Sequence, residues 1–373
     1  MRLANIIGLG LKELRGLGRD PMMLGLIVFA FSISIYTAST SMPEQLNQTP
    51  IAIVDEDRSP LSTRIVDAFM PPYFMKPPLI SPHEMDRRMD AGLDTFALDI
   101  PPDFQRHLLD GDRPSIQLNV DATRMSQAFA GSGYVQSIVS GEIDSFLRRY
   151  RGNTQAPVEL VLRARFNPSL TVSWFSAVVE LINNVTMLSI ILTGAALIRE
   201  REHGTIDHLL VMPVTPLEIM LGKVWAMALV VLVACALSLA FVLQVLLAVP
   251  IGGSVALFLA GAAMHLFATT SMGILLGTVA RSMPQFGMLI VLVLVPLEML
   301  SGGQTPRESM PEFIQHVMLA APTTHFIMLA QAILFRGAGF ETVWPQFIYI
   351  AAIGAVLFAL AVARFRKAVG EIA

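Results

Sequence analysis

Two carboxylates, Glu180 and Glu298, lie inside long apolar segments of this 373-residue chain. A charged side chain in membrane hydrocarbon costs at least about 2.5 kcal/mol, so it usually faces a helix-bundle interior or a water-filled path. Asn183 and Asn184 follow Glu180 on the next helical turn. For Glu180 two interpretations stay open, the lining of a path for an amphipathic or cationic substrate and a hydrogen bond between helices. For Glu298, which ends its segment, a hydrogen bond or a place at the membrane surface is favoured.

The other reactive side chains do not form a catalytic group. His203 and His208 are five residues apart, so they do not share a helical face, and the sequence has no H-E-x-x-H pattern. The acidic run 55–57 could bind a cation, but a solvated turn is the favoured interpretation. Cys235 is the single cysteine, which excludes an internal disulfide. The sequence therefore predicts no enzyme, no catalytic residue, no metal site and no cofactor bound by this chain.

The segment 199–216 has the pattern of a docking element between two apolar segments. Thr205 can cap a short helix that Pro213 ends. Thr215 and Glu218 then have the spacing of a capping box that begins the next helix. A short amphipathic helix lying crosswise under a membrane suits the docking of a soluble partner, and an ordinary well-capped loop is the alternative. The apolar side of this helix would consist of Ile206, Leu209 and Leu210, and Arg201, Glu202 and Asp207 would supply charge at its start. The residues expected in the docking element are Arg199, Glu200, Arg201, Glu202, Gly204, Thr205, Ile206, Asp207, Leu209, Leu210 and Pro213.

The run Leu300–Gln304 spells L-S-G-G-Q, with which some ATPases contact a nucleotide. In those enzymes the serine and the glycine amides meet the γ-phosphate at a helix N-terminus. Here the run follows an apolar segment, and the chain has no G-x-x-x-x-G-K-[ST] phosphate-binding loop. The run therefore predicts a helix end and a turn without a nucleotide.

Composition places these motifs in a membrane protein. The chain is 54% hydrophobic and 15% charged, with a mean hydropathy of +0.60, whereas soluble domains are about 25% charged. A spanning helix needs about 20 mostly apolar residues. Six segments meet this requirement: 22–41, 171–198, 217–248, 254–280, 284–300 and 345–363. A further apolar stretch, 313–335, is interrupted by Pro322 and is expected to be partly re-entrant or interfacial.

Basic residues predict the orientation of these spans, because cytoplasmic loops are rich in Lys and Arg. With the N-terminus inside, eleven basic residues outside the region 42–165 face the cytoplasm: Arg2, Lys12, Arg15, Arg19, Arg199, Arg201, Lys223, Arg281, Arg364, Arg366 and Lys367. The short outer connections then carry only Arg307 and Arg336. No run of Lys or Arg indicates a nucleic-acid partner.

The predicted fold is an α-helical polytopic membrane protein of six transmembrane helices with an inserted extracytoplasmic α/β domain. Residues 1–41 would form an amphipathic helix and the first span, and cleavage after a signal peptide is a disfavoured alternative. Residues 42–165, which hold 17 of the 29 Asp and Glu, would form the periplasmic α/β domain. Residues 166–373 would form a five-helix membrane body with the loop 199–216 inside and a re-entrant region 301–335 outside.

Several segments together resemble the type-2 ABC exporter permeases. The stretch Arg199–Lys223 resembles the charged loop that follows the second span in that family. The runs 54–59 and 100–104 resemble the large outer domain of its drug-export branch, and the runs 301–303, 310–311 and 321–323 resemble its outer re-entrant region. One departure is Ala177-Val178 where many relatives carry Pro-Gly, which leaves the substrate open.

The resemblance implies that the loop is a coupling helix seated in a groove of a separate ATPase subunit, which binds the ATP. It also implies a second permease, identical or related, a bacterial inner-membrane location and the efflux of a drug-like or amphipathic substrate. A periplasmic adaptor or an outer-membrane channel is a further partner that it allows. The alternative function is a membrane receptor or sensor with a ligand-binding outer domain.

Overall fold

The structure of the protein, a computed structural model, describes most of the chain as two compact units. The described residues are 2–41, 48–121, 125–151, 171–202, 214–305 and 307–370. One unit comprises Met1–Ser41 with Ala164–Ala373, and the other comprises Met42–Arg163. Within the described residues, six helices are long and apolar enough to cross a membrane. The protein is therefore a helical polytopic membrane protein.

The membrane unit begins with two helices joined by a tight connection. Helix α1 covers Leu3–Gly18, and the first span, α2, covers Pro21–Thr40. The Asp20 side chain accepts a hydrogen bond from Met23 N at 3.1 Å, and Pro21 takes a first-turn position where its missing N–H costs nothing. Within α2 the residues Phe29–Ser34 form a π-helical turn, a local widening that is frequent at functional sites.

The unit Met42–Arg163 contains a small three-stranded sheet packed against helices. Its core includes Ile53, Phe74, Phe96 and Phe104, all at most 1% exposed. Strand β1 pairs in parallel with β2, and β2 pairs antiparallel with β3. The elements in chain order are β1 (Ile51–Asp55), α3 (Pro60–Ala68), α4 (Pro82–Asp90), β2 (Phe96–Ile100), α5 (Phe104–Asp110), β3 (Gln117–Val120) and α6 (Met125–Arg151).

The sequence predicts four strands for this unit, at 51–54, 96–100, 115–120 and 158–166. The first three correspond to β1, β2 and β3, and the fourth lies outside the described residues. Helix α4 was not predicted, because only Met85 of this polar segment is buried and the apolar periodicity is too weak to detect. The acidic run after β1 caps turns: Asp55 accepts hydrogen bonds from Arg58 N at 2.8 Å and from Ser62 Oγ at 2.9 Å. These contacts are those of a structured turn.

Four long helices continue the membrane unit after residue 171: α7 (Val172–Glu202), α8 (Pro216–Leu246), α9 (Val255–Val279) and α10 (Met283–Leu300). Helix α7 is central, since 89% of the residues in its most apolar 18-residue stretch are buried within the chain. A Cβ on Gly273 of α9 would lie 2.6 Å from Ile190 O of α7, so the glycine permits the close approach of the two helices. Gly273 therefore serves packing within this chain.

The last helices include a sharp break. Helices α11 (Glu312–Met318) and α12 (Pro322–Leu334) are bent by 89° relative to each other. The break lies where Pro322 predicted it, because proline cannot continue the preceding helix. Helix α13 covers Phe340–Gly370.

Both terminal helices of the membrane unit reach the same end of the bundle. Phe365 of α13 lies in one buried cluster with Leu197 of α7 and Val224 of α8, and Leu9 of α1 packs against this cluster. Helix α10 begins at this end, where Met283 N contacts Glu202, and its 18 residues carry the chain about 27 Å toward the other end. We call the end of the bundle where α10 begins the α1 end, and the end toward which α10 runs the opposite end.

Candidate functional site

A cluster of four charged residues joins α1, α7 and α8 at the α1 end. We call Lys12, Glu13, Glu200 and Lys223 the Lys223 cluster. The Lys223 ammonium, on a side chain only 3% exposed, lies 2.8 Å from carboxylate oxygens of both Glu13 and Glu200. Lys12, 52% exposed, lies 2.7 Å from the other oxygen of Glu200. The buried Lys223 ammonium ties the three helices together, because its removal would leave the Glu13 and Glu200 carboxylates without the cation that they share.

The residue before Glu200 makes an equally specific contact with the first span. Arg199 donates a hydrogen bond from Nη1 to Asp20 Oδ2 at 2.6 Å. Asp20 also caps α2 through Met23 N, and this hydrogen bond, followed by that from Arg199, holds the pKa of the Asp20 carboxyl below its usual range. The end of α7 is therefore attached to the start of α2.

The next two residues contact the connection between α9 and α10. Arg201 donates from Nη1 to the carbonyl oxygen of Ala280 at 2.7 Å. Glu202 accepts a hydrogen bond from the backbone N–H of Met283, the first residue of α10, at 3.0 Å. These two side chains were expected to supply charge for a partner, whereas the structure gives both of them contacts within the chain.

The start of α8 is held by its own capping box and by contacts with α1 and the residue before it. Thr215 and Glu218 form the predicted capping box, with Glu218 N donating to Thr215 Oγ1 at 3.3 Å and Thr215 N donating to Glu218 Oε2 at 2.9 Å. Glu218 Oε1 also accepts from the backbone N–H of Arg2 at 2.6 Å. Trp225 donates from its indole to Ile6 O at 3.1 Å, which adds a second link to α1.

The connection between these fixed ends lies outside the described residues. It holds seven of the predicted docking residues: Gly204, Thr205, Ile206, Asp207, Leu209, Leu210 and Pro213. The described members, Arg199–Glu202, contact α1, α2, α8, α10 and the connection after α9. The end of α7 is therefore held by contacts with several helices.

A second polar group lies inside the bundle, between α2 and α7. Ser34 donates to Glu180 Oε1 at 2.9 Å. Asn184 donates to the carbonyl oxygen of Ala30, in the π turn of α2, at 2.9 Å and to Glu180 at 3.4 Å. Glu298 of α10 lies within electrostatic reach of Glu180. The Ser34–Glu180 and Asn184–Ala30 hydrogen bonds join α2 to α7, which agrees with one interpretation of Glu180, and the lining of a substrate path stays a prediction.

Asn183, a further predicted residue, lies on α7 near this polar group. Asn183 is 4% exposed, and its Oδ1 has no hydrogen-bond partner among the described residues.

Helix α10 ends at Leu300, and Gly302 has a φ of 96°. The run Leu300–Gln304 is therefore a helix end and a turn, as predicted, and it lies at the opposite end from the Lys223 cluster.

The six apolar helices and the sharply bent pair α11–α12 of the described residues define a multi-pass membrane protein. The profile of the family described as "ABC-2 family transporter protein" matches residues 22–363, and the chain belongs to this family. It is 59% identical over 371 residues to the "Inner membrane transport permease YhhJ" of Escherichia coli (strain K12), covering 100% of this chain and 99% of that protein.

Two further relatives are more distant. The chain is 28% identical over 362 residues to the "Probable multidrug ABC transporter permease YbhR" of Escherichia coli (strain K12), covering 96% of this chain and 97% of the relative. It is 26% identical over 344 residues to the "Probable multidrug ABC transporter permease YbhS" of the same organism, covering 87% of each. The chain is thus an ABC-2 type transport permease, a multi-pass protein of the bacterial inner membrane, and the family implies an ATPase partner. A receptor is not the function that this family supports.

Proposed function

We propose that the chain is the membrane-spanning subunit of an exporter that moves a drug-like or amphipathic substrate out of the cytoplasm. The energy comes from ATP hydrolysis by a separate subunit that docks on the connection 203–213. The observation that carries this proposal is the set of contacts made by Arg199–Glu202, which attach the start of that connection to neighbouring helices. The printed names of two relatives, which describe multidrug permeases, support the substrate class.

The contacts suit the transmission of movement from a docked ATPase. Pulling on the connection displaces Glu202 and with it the first residue of α10. It also displaces Arg199 and with it the cap of α2, which carries the π turn beside Glu180. In this proposal a movement at the α1 end therefore reaches the polar group inside the bundle, where we place the substrate path.

Exposed apolar faces support a second permease beside this one. In the most apolar 18-residue stretch of α10 only 22% of the residues are buried within the chain, and in that stretch of α13 only 17% are buried. The lipid bilayer covers part of this surface, and an identical or related permease would cover the rest and complete the path. We place the unit Met42–Arg163 outside the membrane as the α/β domain that meets a periplasmic adaptor.

Purification of the tagged full chain in mild detergent tests the proposed function. We expect a protein with a G-x-x-x-x-G-K-[ST] loop to co-purify in a near-equal molar amount, with ATPase activity in the eluate. An unrelated multi-pass protein with the same tag, purified in parallel, should yield neither. Recovery of the folded chain without any such ATPase would contradict the proposal.

The orientation is tested separately with single cysteines in a Cys235→Ala background, since Cys235 is buried. We expect Ser115→Cys, at an exposed position, to react with a membrane-impermeant maleimide in spheroplasts. Gly204→Cys should react only after the membrane is opened, because basic residues place the α1 end inside. Equal labelling of both positions from outside would rule out the proposed orientation.

A further inference from the structure

A cavity of about 620 Å³ lies at the opposite end of the bundle from the Lys223 cluster. Its walls come from the turn after α10, from α12 and from the start of α13. Phe175, Ile327 and Val343 form apolar parts of the wall, and Arg307 and Arg336 form charged parts. A cavity of this size suits a small amphipathic ligand, since such sites measure roughly 300–1,000 Å³.

The charge in this cavity has one sign. Arg307 and Arg336 are the charged residues of its described lining, which contains no Asp or Glu. Neither guanidinium has a carboxylate partner among the residues that the structure describes, and Arg307 Nη1 donates to the sulfur of Met328 at 3.4 Å. These are also the two basic residues of the short outer connections. Two guanidinium groups without a carboxylate in the same wall favour an anionic ligand.

Three polar atoms of the lining are buried without a hydrogen-bond partner in the described part of the chain. They are the hydroxyl oxygen of Ser301, on a residue that is 0% exposed, Nε of Arg307 and Oε1 of Gln346. Buried polar groups nearly always have a partner, so a group of orphans around one cavity indicates a ligand that supplies the partners. Two of the three can donate to an anion, and Gln346 Oε1 can accept from a hydroxyl group beside it.

The two glycines of the L-S-G-G-Q run shape this wall. Gly302, with its positive φ of 96°, would place a Cβ 3.0 Å from Cγ of Arg307, so the arginine stem lies across the glycine. A Cβ on Gly303 would lie 3.0 Å from Cγ1 of Val179 and 3.2 Å from Cδ1 of Ile327. The glycines therefore let the turn pack on α7 and α12 while Arg307 lies along it, which is a use of this run that involves no nucleotide.

We infer that this cavity binds the phosphate group of an amphipathic or hydroxyl-bearing organophosphate, with Arg307, Arg336 and the Ser301 hydroxyl as its ligands. The phosphate belongs to a membrane lipid headgroup or to a soluble organophosphate, and both offer the same oxygens to the guanidinium groups. The placement of the cavity on the outer side rests on the proposed function and orientation, whereas the binding itself does not.

Native mass spectrometry of the purified full chain tests this inference with three probes. They are phosphatidylglycerol, diacylglycerol with the same acyl chains, and glycerol 3-phosphate. We expect phosphatidylglycerol to bind with at least about tenfold higher affinity than diacylglycerol, because a charge-assisted hydrogen bond contributes about that factor or more. Binding of glycerol 3-phosphate in addition would assign the site to soluble organophosphates, and its failure beside binding of phosphatidylglycerol would assign the site to lipid headgroups.

Paired variants locate the site. Arg307→Gln with Arg336→Gln should weaken binding of whichever phosphate probe binds by at least about tenfold. Arg364→Gln with Arg366→Gln, two exposed basic residues at the α1 end, should leave binding unchanged. Arg336→Gln alone, at an exposed position, serves if the first pair does not fold.

Equal binding of phosphatidylglycerol and diacylglycerol by the unmodified chain, without binding of glycerol 3-phosphate, would overturn the inference without any variant. Equal loss in both paired variants would overturn it as well. Neither outcome depends on an ATPase, so failure here and failure of the proposed exporter function are distinguishable.

Discussion

Lys223→Met is expected to lower the thermal transition of the purified protein by roughly 5–10 °C, because it leaves the Glu13 and Glu200 carboxylates facing each other in a buried junction. Methionine retains the length and the apolar stem of lysine, so packing changes little and the lost charge dominates. Breaking a buried ion pair on one side costs about 3–5 kcal/mol. The measurement is the unfolding temperature in detergent, with ATP-driven transport by the assembled complex as a second reading.

Lys12→Met is the matched control within the Lys223 cluster. Lys12 contacts the same Glu200 carboxylate, but it is 52% exposed whereas Lys223 is 3% exposed. An exposed ion pair contributes only about 0.2–1 kcal/mol, so the control should shift the transition slightly. If the two variants lowered the unfolding temperature equally, Lys223 would not be the buried centre of the junction.

The membrane spans could be predicted from sequence because length and hydropathy are local properties. The prediction 254–280 differs by one residue at each end from Val255–Val279, and 22–41 differs similarly from Pro21–Thr40. The prediction of the last span was less accurate, since α13 begins at Phe340 and not at residue 345. Pro345 suggests a helix start, yet the helix of the structure already begins five residues earlier and continues through the proline in its second turn.

The site was predictable only where its contacts are local. The capping box of Thr215 and Glu218 spans three residues, so spacing alone indicated it. The partner of Glu200 at Lys12 is 188 residues away, and no periodicity specifies which helices pair. The same limit explains why the resemblance marked Arg199–Glu202 as important while their contacts within the chain stayed hidden.

The cavity at the opposite end shows a different limit. Sequence reasoning singled out Arg307 and Arg336 as the two outer basic residues and Leu300–Gln304 as a turn. It did not bring them together, because the arginines lie on either side of α11 and α12. Only the 89° break between those helices brings both into one wall. A pair of unmatched basic residues on the outer side was the available signal.

Leu209→Asp is expected to abolish ATP-driven export while leaving membrane insertion and expression unchanged. The sequence has no phosphate-binding loop of its own, so work from ATP enters through a contact with another protein. At the α1 end the α9–α10 connection has only three residues, 280–282, between Val279 and Met283, whereas the α7–α8 connection is long enough for a docking helix. Leu209 lies outside the described residues and is predicted to be on the apolar side of that helix. Buried apolar anchors carry most of the energy of such contacts, and a carboxylate in the groove would be left unpaired.

His208→Asp is the matched control, since it adds the same charge to the same helix at a residue that is not part of the predicted apolar side, Ile206, Leu209 and Leu210. Arg201 and Glu202 are unsuitable for this test, because their side chains hold Ala280 and Met283 and a change would disturb the fold of the chain itself. The complex is reconstituted in proteoliposomes, and ATP hydrolysis and export are measured together. Leu209→Asp should lose export and ATPase stimulation, and His208→Asp should keep most of both. Export by Leu209→Asp at the unmodified rate would show that the ATPase drives this permease through some other contact, most directly through α1, which the Lys223 cluster already joins to α7 and α8.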